Sequence, residues 1–507
     1  MQKQLQLDYK PVQLSLPVHT EFLIDKNDPV VSFMEVVGRL NLKKYIKTSH
    51  KGRQQYNPEM LLRIVLFGYM EKKFSVRELE KACQVDVRFM YLAENQTPSF
   101  MVFQRFIKDK LTHCVKEIFY EINEFLMMKE KIDINRLYID GTKIEANANK
   151  YTFVWKKAVL NYQEKLFVKI THELKTLNRD FETQFEVKER YESLDLSHII
   201  YWIIGQIEQQ GITFVYGKGK RKTPLQRHYD DLMNYQMKCR EYEIKLDICG
   251  PRNSYSKTDH DATFMHGKED YYNHTGIFKA YYNIQIGVSD EYILHYGVYQ
   301  NPTDTKTFIP FMESYYKHYG MFPKTPVGDA SYGSYDNYLY CLNQKMDLMM
   351  KYNMYSKEKQ KAFLKKEFNI KNMDIVDEKT LVSKSGEVYL YSHDYTSYQG
   401  VFPKIKQVYV HQPKEASVVQ CPKRISRDIV LNQLQHEAKT NLDGERGIAC
   451  RIQRSIQVEG AFGEIKHNCD YTRFHRRGKA GVETEFLLIS IGYNLRKYHS
   501  KKLRKLN

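Results

Sequence analysis

The sequence lacks the features that mark secreted, disulfide-stapled and membrane-spanning proteins. Its eight cysteines are scattered and none forms a CxxC pair, which argues against a disulfide framework and against a cysteine-ligated zinc site. The N-terminus shows no basic region followed by an apolar stretch and a cleavage site, so no secretory signal is expected. The most apolar runs, HIIYWIIGQI and FLLISIGYNL, fall short of the roughly 20 residues that cross a bilayer. We expect buried helices there and an intracellular protein that makes no contact with a membrane.

Acidic residues are fewer than basic ones. The chain has 78 Lys and Arg against 61 Asp and Glu, which gives a net charge of +17 over 507 residues. Such an excess favours a polyanionic partner, although many basic proteins bind nucleic acid without specificity. A hydrophobic fraction of 42% and an aromatic fraction of 13% exclude a mainly disordered chain. This length predicts two to four domains.

The N-terminal quarter predicts a helical domain over residues 1–130, with an extended arm at 1–25. Asn57-Pro58 opens an apolar helix, and Ser75 with Glu78 matches an S-x-x-E capping box. Short helices with tight joints and basic outer faces are typical of a helix-turn-helix DNA-binding unit. An ordinary helical bundle with a solvated basic face fits the pattern equally well. The candidate DNA-contacting residues of this domain are Arg77, Lys81, Arg88 and Arg105.

The remaining sequence predicts a mixed α/β fold with two insertions. Strand patterns alternate with helices over 131–152 and 248–360, which we assign to one core. A long charged helical stretch at 153–247 interrupts that core as a helical insertion. Alternating polar and apolar residues at 361–423 predict a β-rich insertion. The chain from 424 to 507 is predicted to be helical.

Three distant acidic residues have contexts that suit metal-dependent phosphodiester chemistry. Asp140 and Asp329 are each expected to end a short apolar strand next to small residues, where a phosphate can approach. Carboxylate oxygens are the ligands that Mg²⁺ prefers, and two such ions can activate a nucleophile and stabilise a leaving oxygen. Glu459 is predicted to lie on a helix. Taken singly, either aspartate is also a common solvated residue at a strand end.

Helical geometry separates two stripes around Glu459. Val458, Phe462 and Ile465 form one apolar stripe, whereas Glu459, Gly463 and Lys466 fall on the adjoining stripe. An acid and an amine seven residues apart can contact a metal and a phosphate of the same bound strand. Glu464 points elsewhere on this helix and is the second candidate for the acidic ligand.

The segments YIDGTKIEANANK, VGDASYGS and QVEGAFGEIK resemble the catalytic segments of DDE transposases of bacterial insertion sequences. The N-terminal helices also resemble the DNA-binding region of that family. The resemblance implies an RNase H-like catalytic domain in which Asp140, Asp329 and Glu459 hold two Mg²⁺ ions, with Mn²⁺ as a substitute. It also implies that Lys466, in the E-x6-K element, contacts DNA, and that no small-molecule cofactor is needed. A bacterial cytoplasmic enzyme associated with the nucleoid is expected.

One part of the family pattern is absent. A related subgroup places a tyrosine seven and an arginine four residues before the glutamate, where this chain has Ile452 and Ser455. Arg451 and Arg454 stand at other spacings, so the pattern gives them no role. Downstream, the hypothesis assigns DNA-backbone contacts to Arg476, Arg477 and Lys479. The polar run Asp259, His260, Asp261 and His266 has no regular ligand spacing and is interpreted as a loop.

The leading hypothesis is a cut-and-paste transposase that binds the terminal inverted repeats of its own element. Water would nick the DNA, the freed 3′-hydroxyl would attack target DNA, and a homodimer would assemble on two element ends. Two alternatives stay open: a metal-dependent nuclease of the same fold, and a DNA-binding regulator with an inactive catalytic domain. Strand-transfer products separate the first alternative from the transposase, and a catalytic-site substitution separates the second.

Overall fold

The computed structural model describes residues 24–41, 44–45, 56–217, 219–267, 278–413 and 421–506. The predicted N-terminal arm lies outside these residues apart from positions 24 and 25. The chain forms two compact units, one of residues 1–133, 290–294 and 486–507, and one of residues 134–289 and 295–485. No helix in the described ranges combines the length and apolar character that a membrane span requires.

The first unit is helical, as the sequence predicts for its N-terminal part. Asn57 caps a helix by accepting a hydrogen bond from the Glu59 amide at 3.0 Å. The predicted capping box of Ser75 and Glu78 is confirmed. The Ser75 side chain accepts a hydrogen bond from backbone in the first turn, and the Glu78 side chain accepts one from the Ser75 amide. The N-terminal helices described are α1 (Pro29–Val37), α2 (Pro58–Met70), α3 (Val76–Val85), α4 (Val87–Leu92), α5 (Phe100–Asp109) and α6 (Val115–Glu130).

The end of the chain belongs to this helical unit, whereas the sequence grouped residues 424–507 together. The last helix, α16 (Lys479–Leu506), contributes its residues from Phe486 onward. A side chain at Gly492 would meet the Tyr69 carbonyl oxygen at 2.4 Å, so the backbones approach closely there. Arg496 donates hydrogen bonds to the Tyr69 and Met70 carbonyls at 2.8 and 2.9 Å. These carbonyls lie in the last turn of α2, so the arginine ties the C-terminal segment to the end of that helix.

The second unit is built on a mixed sheet, and the predicted α/β class is confirmed. Strand order is β4-β5-β1-β7-β8, and β6 also pairs with β5. β1 runs antiparallel to β5 and parallel to β7, and β7 runs parallel to β8. The strands are β1 (Arg136–Glu145), β4 (Thr263–His266), β5 (Phe278–Ser289), β6 (Tyr292–Tyr299), β7 (Thr325–Gly333) and β8 (Met349–Tyr352).

One face of this sheet is covered by helices. Leu137 and Ile139 of β1 point into a buried cluster with aromatic residues from the helices that follow β6 and β7. Leu434 and Ala438 close the cluster from a later helix. The helices concerned are α10 (Phe308–Tyr319), α11 (Tyr335–Asn343) and α13 (Ile429–Asp443). Because side chains alternate along a strand, Asp140 faces the other side.

Both predicted insertions contain the expected elements. The helical insertion holds three helices around a core of its own, and the short strands that flank it pair with each other. These are β2 (Phe153–Trp155), α7 (Lys156–Phe181), α8 (Ser197–Gln209), α9 (Pro224–Cys249) and β3 (Ser254–Ser256). The β-rich insertion forms a separate sheet in the order β13-β12-β11-β10-β9, and its last strand lies at 424–427, which corrects the prediction that the chain is helical from 424 onward. Its elements are α12 (Lys361–Leu364), β9 (Asp374–Asp377), β10 (Thr380–Val382), β11 (Val388–Ser397), β12 (Lys404–Gln412) and β13 (Arg424–Arg427).

Candidate active site

Asp140 and Asp329 occupy equivalent positions on neighbouring parallel strands. The last paired residues of β1 and β7 are Tyr138 and Val327, and each aspartate lies two residues further along its own strand. The period of two places each aspartate on the same face as its paired neighbour. Adjacent strands are about 4.8 Å apart, so the fold brings two carboxylates separated by almost 190 positions to one place on the sheet.

Asp140 lies in the middle of β1, which corrects the expectation that it ends its strand. β1 continues to Glu145 because β5 pairs with it as far as that residue. Gly141 does not terminate the strand. A side chain there would meet the Gln285 amide nitrogen at 2.1 Å and an Asp304 oxygen at 2.9 Å. The glycine therefore permits close approach of two polar groups beside Asp140.

Asp329 also lies within its strand and does not end it, because β7 continues to Gly333, and the aspartate lies where the pairing between β7 and β8 is interrupted. The register shifts between Gly328 and Gly333, so the strand bulges at the aspartate. Asp329 Oδ1 accepts hydrogen bonds from the Ser331 amide at 2.8 Å and from the Ser331 hydroxyl at 2.5 Å. The Asp329 side chain stays 38% exposed, and its Oδ2 faces the Arg454 guanidinium at 3.8 Å. By contrast, the Asp140 side chain is 10% exposed.

Glu459 lies on the predicted helix, but that helix is not a regular α-helix. It runs through α14 (Glu445–Arg454), a π-helical segment Ser455–Glu459, α15 (Gly460–Gly463) and a second π-helical segment Glu464–Asn468. The predicted apolar stripe of Val458, Phe462 and Ile465 is buried, as expected. The Glu459 side chain is 63% exposed, and a side chain added at Gly463 would have no neighbour within 4 Å. The surface beside Glu459 is therefore open.

Arg454 connects the three acidic residues. Its Nη2 lies 3.3 Å from Asp140 Oδ1 and 3.8 Å from Asp329 Oδ2, and its Nη1 lies 4.0 Å from Glu459 Oε1. The arginine side chain is only 16% exposed, so these attractions act where water screens them weakly. The sequence pattern gave Arg454 no role. The structure thus brings all three predicted acids around one cation.

Asp304 is a fourth acid near this centre that sequence reasoning missed. Its Oδ1 accepts hydrogen bonds from the Asn283 and Gln285 side-chain amides at 2.7 and 2.9 Å. Its Oδ2 accepts from the Ser331 hydroxyl at 3.3 Å, and the same hydroxyl bonds Asp329. Asp304 is the first residue of the short 3₁₀ turn before α10. A polar residue at such a position is ordinarily interpreted as a helix cap. Only its position against β5 and β7 reveals the link to Asp329.

Burial and charge perturb two further groups at this centre. Burial, reinforced by Asp304, Asp140 and Asp329, raises the pKa of the Tyr332 phenol well above its usual range. That neutral hydroxyl donates a hydrogen bond to Gln285. Burial and the positive charges of Arg451 and Arg454 lower the pKa of Lys351 on β8. Tyr332 and Lys351 therefore lie in a poorly solvated region and respond to the charges of the neighbouring acidic and basic side chains.

The predicted DNA-contacting residues after Glu459 are placed differently from one another. Lys466 is 8% exposed, so the backbone of a DNA strand can reach only a small part of it. Arg477 and Lys479 are exposed and Arg476 is half-buried. Arg477 Nε donates to the Asn147 carbonyl at 2.8 Å, which holds that side chain against the end of β1. A role for these four residues in DNA binding stays a prediction.

The polar run before β4 anchors the segment that follows the Glu459 helix. Asp259 is 3% exposed and accepts hydrogen bonds from the Tyr282 hydroxyl at 2.8 Å and the Gly478 amide at 3.2 Å. Asp261 Oδ2 accepts from the Lys479 amide at 2.8 Å. These carboxylates anchor the backbone at Gly478 and Lys479, whereas His266 lies in β4 and not in the predicted loop.

The basic candidates of the helical unit also differ in their surroundings. Arg77, Lys81 and Arg105 are exposed. Arg88 pairs instead with Glu71 at 2.7 Å and Asp86 at 2.8 Å. The hydrogen bonds that Arg88 donates to the Asp86 carboxylate, with the charge of Glu71, raise the pKa of Arg88 further above its usual range. Its charge is already neutralised within the unit.

Two protein-family models match parts of the chain. A model described as a transposase domain (DUF772) matches residues 18–109, and a model described as a transposase DDE domain matches residues 417–499. The second range contains both Arg454 and Glu459. No curated protein and no solved structure matches the chain. With a transposase model matched near each end of the chain, these two findings support a DDE transposase of an insertion sequence.

Proposed function

We propose that this protein is a transposase whose catalytic centre consists of Asp140, Asp329 and Glu459. This centre would cut the DNA at the ends of the protein's own element and join those ends to target DNA. The observation that carries the proposal is the convergence of the three carboxylates on the Arg454 guanidinium, within 3.3 to 4.0 Å. Carboxylates that converge on one cation form a centre that divalent ions can occupy. Two of them stay open to solvent, as a site for a large substrate requires.

The sheet supports an RNase H-like fold for the catalytic part. The order β6-β5-β1-β7-β8 begins with a hairpin and an antiparallel pair and continues with strands parallel to β1. An RNase H-like sheet has this order and these directions. Asp140 on β1 and Asp329 on β7 then lie on its two central strands, and the Glu459 helix supplies the third acid.

The residues present fit two Mg²⁺ ions. The donor set consists of carboxylate oxygens, which hard divalent cations prefer. The positively charged Arg454 side chain lies among these oxygens, at a position that suits a cation. Asp140, Asp329 and Glu459 would hold the ions, and Mn²⁺ has the same ligand preference. When bound, the ions activate the attacking oxygen and stabilise charge on the leaving one.

The surrounding residues position the acids and the substrate. Ser331 fixes Oδ1 of Asp329 through two hydrogen bonds, which leaves Oδ2 as the oxygen that would bind a metal ion. If the three carboxylates held metal ions, the Arg454 guanidinium would be available to neutralise a DNA phosphate. The open helix surface at Gly460 and Gly463 gives a strand room beside Glu459.

The reaction follows in two steps of the same kind. Water attacks a phosphorus atom at the element end, and the bond from phosphorus to the 3′-oxygen breaks to free a 3′-hydroxyl. That hydroxyl then attacks a target phosphate and displaces a 3′-oxygen of the target strand. The helical unit would bind the terminal inverted repeats, and a homodimer would hold two ends together.

An assay on labelled DNA that carries the flanking ends of the gene's own locus tests the proposal. Wild type and Asp140→Ala are compared in Mg²⁺, in Mn²⁺ and in EDTA. Metal-dependent cutting and joined products, both lost in the variant, are expected. Cutting without joining would favour a nuclease of the same fold. Tight end binding without cutting in any metal would show a regulatory protein with an inactive centre.

A further inference from the structure

The β-rich insertion contains a second group of metal-ligand side chains, separate from the acidic centre. Glu387, His411 and Cys421 each offer one ligand atom, and these atoms lie within 4.8 Å of one another. His411 Nε2 is 2.8 Å from Glu387 Oε2. We propose that this group binds one zinc ion, which ties together three strands of the insertion.

The three residues come from neighbouring strands at one end of the sheet. Glu387 directly precedes β11, His411 is the penultimate residue of β12, and Cys421 lies three residues before β13. Because β11, β12 and β13 are adjacent and antiparallel, these positions share one edge. The arrangement explains why the spacing along the sequence shows no zinc motif: the ligands are separated by 24 and 10 positions and meet only through strand pairing.

The donor atoms suit zinc better than magnesium. A thiolate, an imidazole nitrogen and a carboxylate oxygen are all accepted by Zn²⁺, whereas Mg²⁺ demands oxygen donors. Bonds of about 2 Å at tetrahedral angles would separate the nitrogen and oxygen by about 3.3 Å. Small side-chain rotations therefore convert the present 2.8 Å contact into a pair of ligands.

The surroundings of the group are poorly solvated. Glu387 is 5% exposed and the His411 side chain 13% exposed. The Tyr389 ring packs against the His411 ring, with centroids 5.0 Å apart and ring planes tilted by 43°. Cys421 is partly exposed, and a bound zinc ion would add charge compensation for the buried Glu387 carboxylate.

The insertion also has a physical need for such a crosslink. Its buried core consists of Met373, Leu381, Tyr389, Tyr409 and Ile425, while the four residues of β9 are all exposed. A core of this size supports a five-stranded sheet only weakly, and small domains commonly add a metal or a disulfide. Metal binding at the shared edge would join β11, β12 and β13 directly.

The test uses the full chain in the Asp140→Ala background, which weakens binding at the acidic centre. Protein loaded with Co²⁺ or Zn²⁺ is freed of excess ion, and metal content and absorption are measured. We expect about one ion per chain and a thiolate-to-cobalt charge-transfer band, because cysteine coordinates as the thiolate. Cys421→Ser should abolish the band, and His411→Ala should weaken Zn²⁺ affinity by more than about tenfold.

Matched variants keep the result unambiguous. Cys469→Ser, which changes the other partly exposed cysteine, and His393→Ala on β11 should retain the band and the bound ion. If Cys421→Ser fails to fold, limited proteolysis of protein that keeps all three ligands tests the proposal instead. A chelator should expose residues 361–427 to cleavage, and Zn²⁺ should protect them. A missing band in protein with all three ligands, or equal zinc content in Cys421→Ser and its controls, would overturn the proposal.

Discussion

Arg454 and Glu459 are five residues apart on a helix whose π-helical turn brings the guanidinium Nη1 within 4.0 Å of the glutamate carboxylate. In a regular α-helix, residues five apart diverge by about 140°, whereas residues four apart diverge by about 40°. The wider π turn accommodates one more residue, so the arginine faces its acid despite the changed spacing. This explains why a pattern with arginine four residues before the acid did not identify Arg454.

Removal of that cation should destabilise the metal-free protein. We expect Arg454→Ala to lower the free energy of unfolding in EDTA by about 1–3 kcal/mol, because the three carboxylates then face one another without compensation. Mg²⁺ should raise the melting temperature of the variant more than that of wild type. Thermal melts in EDTA and over a Mg²⁺ titration measure both effects. Arg451→Ala is the control, and an equal Mg²⁺ response in both variants would contradict the expectation.

Asp304 should act as a positioning residue for Asp329 through Ser331. Asp304→Asn keeps the size of the side chain but removes the charge that receives three hydrogen bonds. We expect cleavage to slow by about tenfold and the Mg²⁺ concentration for half-maximal rate to rise, because weakened outer contacts commonly cost about 10–100-fold. Asp336→Asn, which changes a carboxylate paired with Lys404, is the control. Unchanged metal dependence in Asp304→Asn would exclude the positioning role.

Two glycines near the acidic centre should respond in opposite ways to alanine. Gly141→Ala introduces a methyl group 2.1 Å from the Gln285 amide, so we expect a loss of about 1–3 kcal/mol in the free energy of unfolding. Gly463→Ala meets nothing within 4 Å and should stabilise its helix by about 0.5–1 kcal/mol. If DNA lies on that surface, Gly463→Ala should nevertheless slow cleavage. Chemical denaturation and the cleavage assay together separate the two effects.

Among the candidate DNA-contacting residues of the helical unit, some should contribute to DNA binding and one should contribute to stability. Lys81→Ala or Arg105→Ala should weaken DNA binding and reduce the slope of log affinity against log salt by about one. Arg88→Ala should instead cost about 1–3 kcal/mol of stability, since Glu71 and Asp86 would lose their shared partner. Binding titrations at several salt concentrations, with thermal melts of the same proteins, measure both. A stable Arg88→Ala protein with weaker DNA binding would reverse the assignment.

Glu35 should make the helical unit sensitive to acid. The hydrogen bond from Lys502, at 2.9 Å, lowers the pKa of Glu35 from its usual 4.5 to about 2. The native state therefore binds the proton less readily than the unfolded chain, so this stabilisation is present above pH 4.5 and is lost as the pH falls toward 2. Glu35→Gln should cost about 1–2 kcal/mol at pH 7, a figure reduced for partial exposure, and should flatten stability over that acidic range. Glu124→Gln, at an exposed position of α6, should leave the profile unchanged.

Much of the candidate site was predictable because its signals are local. Alternation along β1 places Asp140 opposite Leu137 and Ile139, and the helical period separates Glu459 from the buried stripe at Val458. The capping box at Ser75 and the compositions of the two insertions are equally local. Such signals depend on neighbours within one or two turns, which a sequence displays directly.

Contacts between distant segments were decided only by the tertiary structure. Arg454 meets Asp140 and Asp329 across more than 100 positions, and a π turn alters the register on which any spacing rule depends. Asp304, the continuation of β1 past Gly141 and the Glu387–His411–Cys421 group likewise follow from strand pairing. The sequence alone determined which residues have side chains that can bind metal ions or DNA. The folded chain decided which of them meet, because pairing and packing bring together positions whose separation along the chain carries no geometric information.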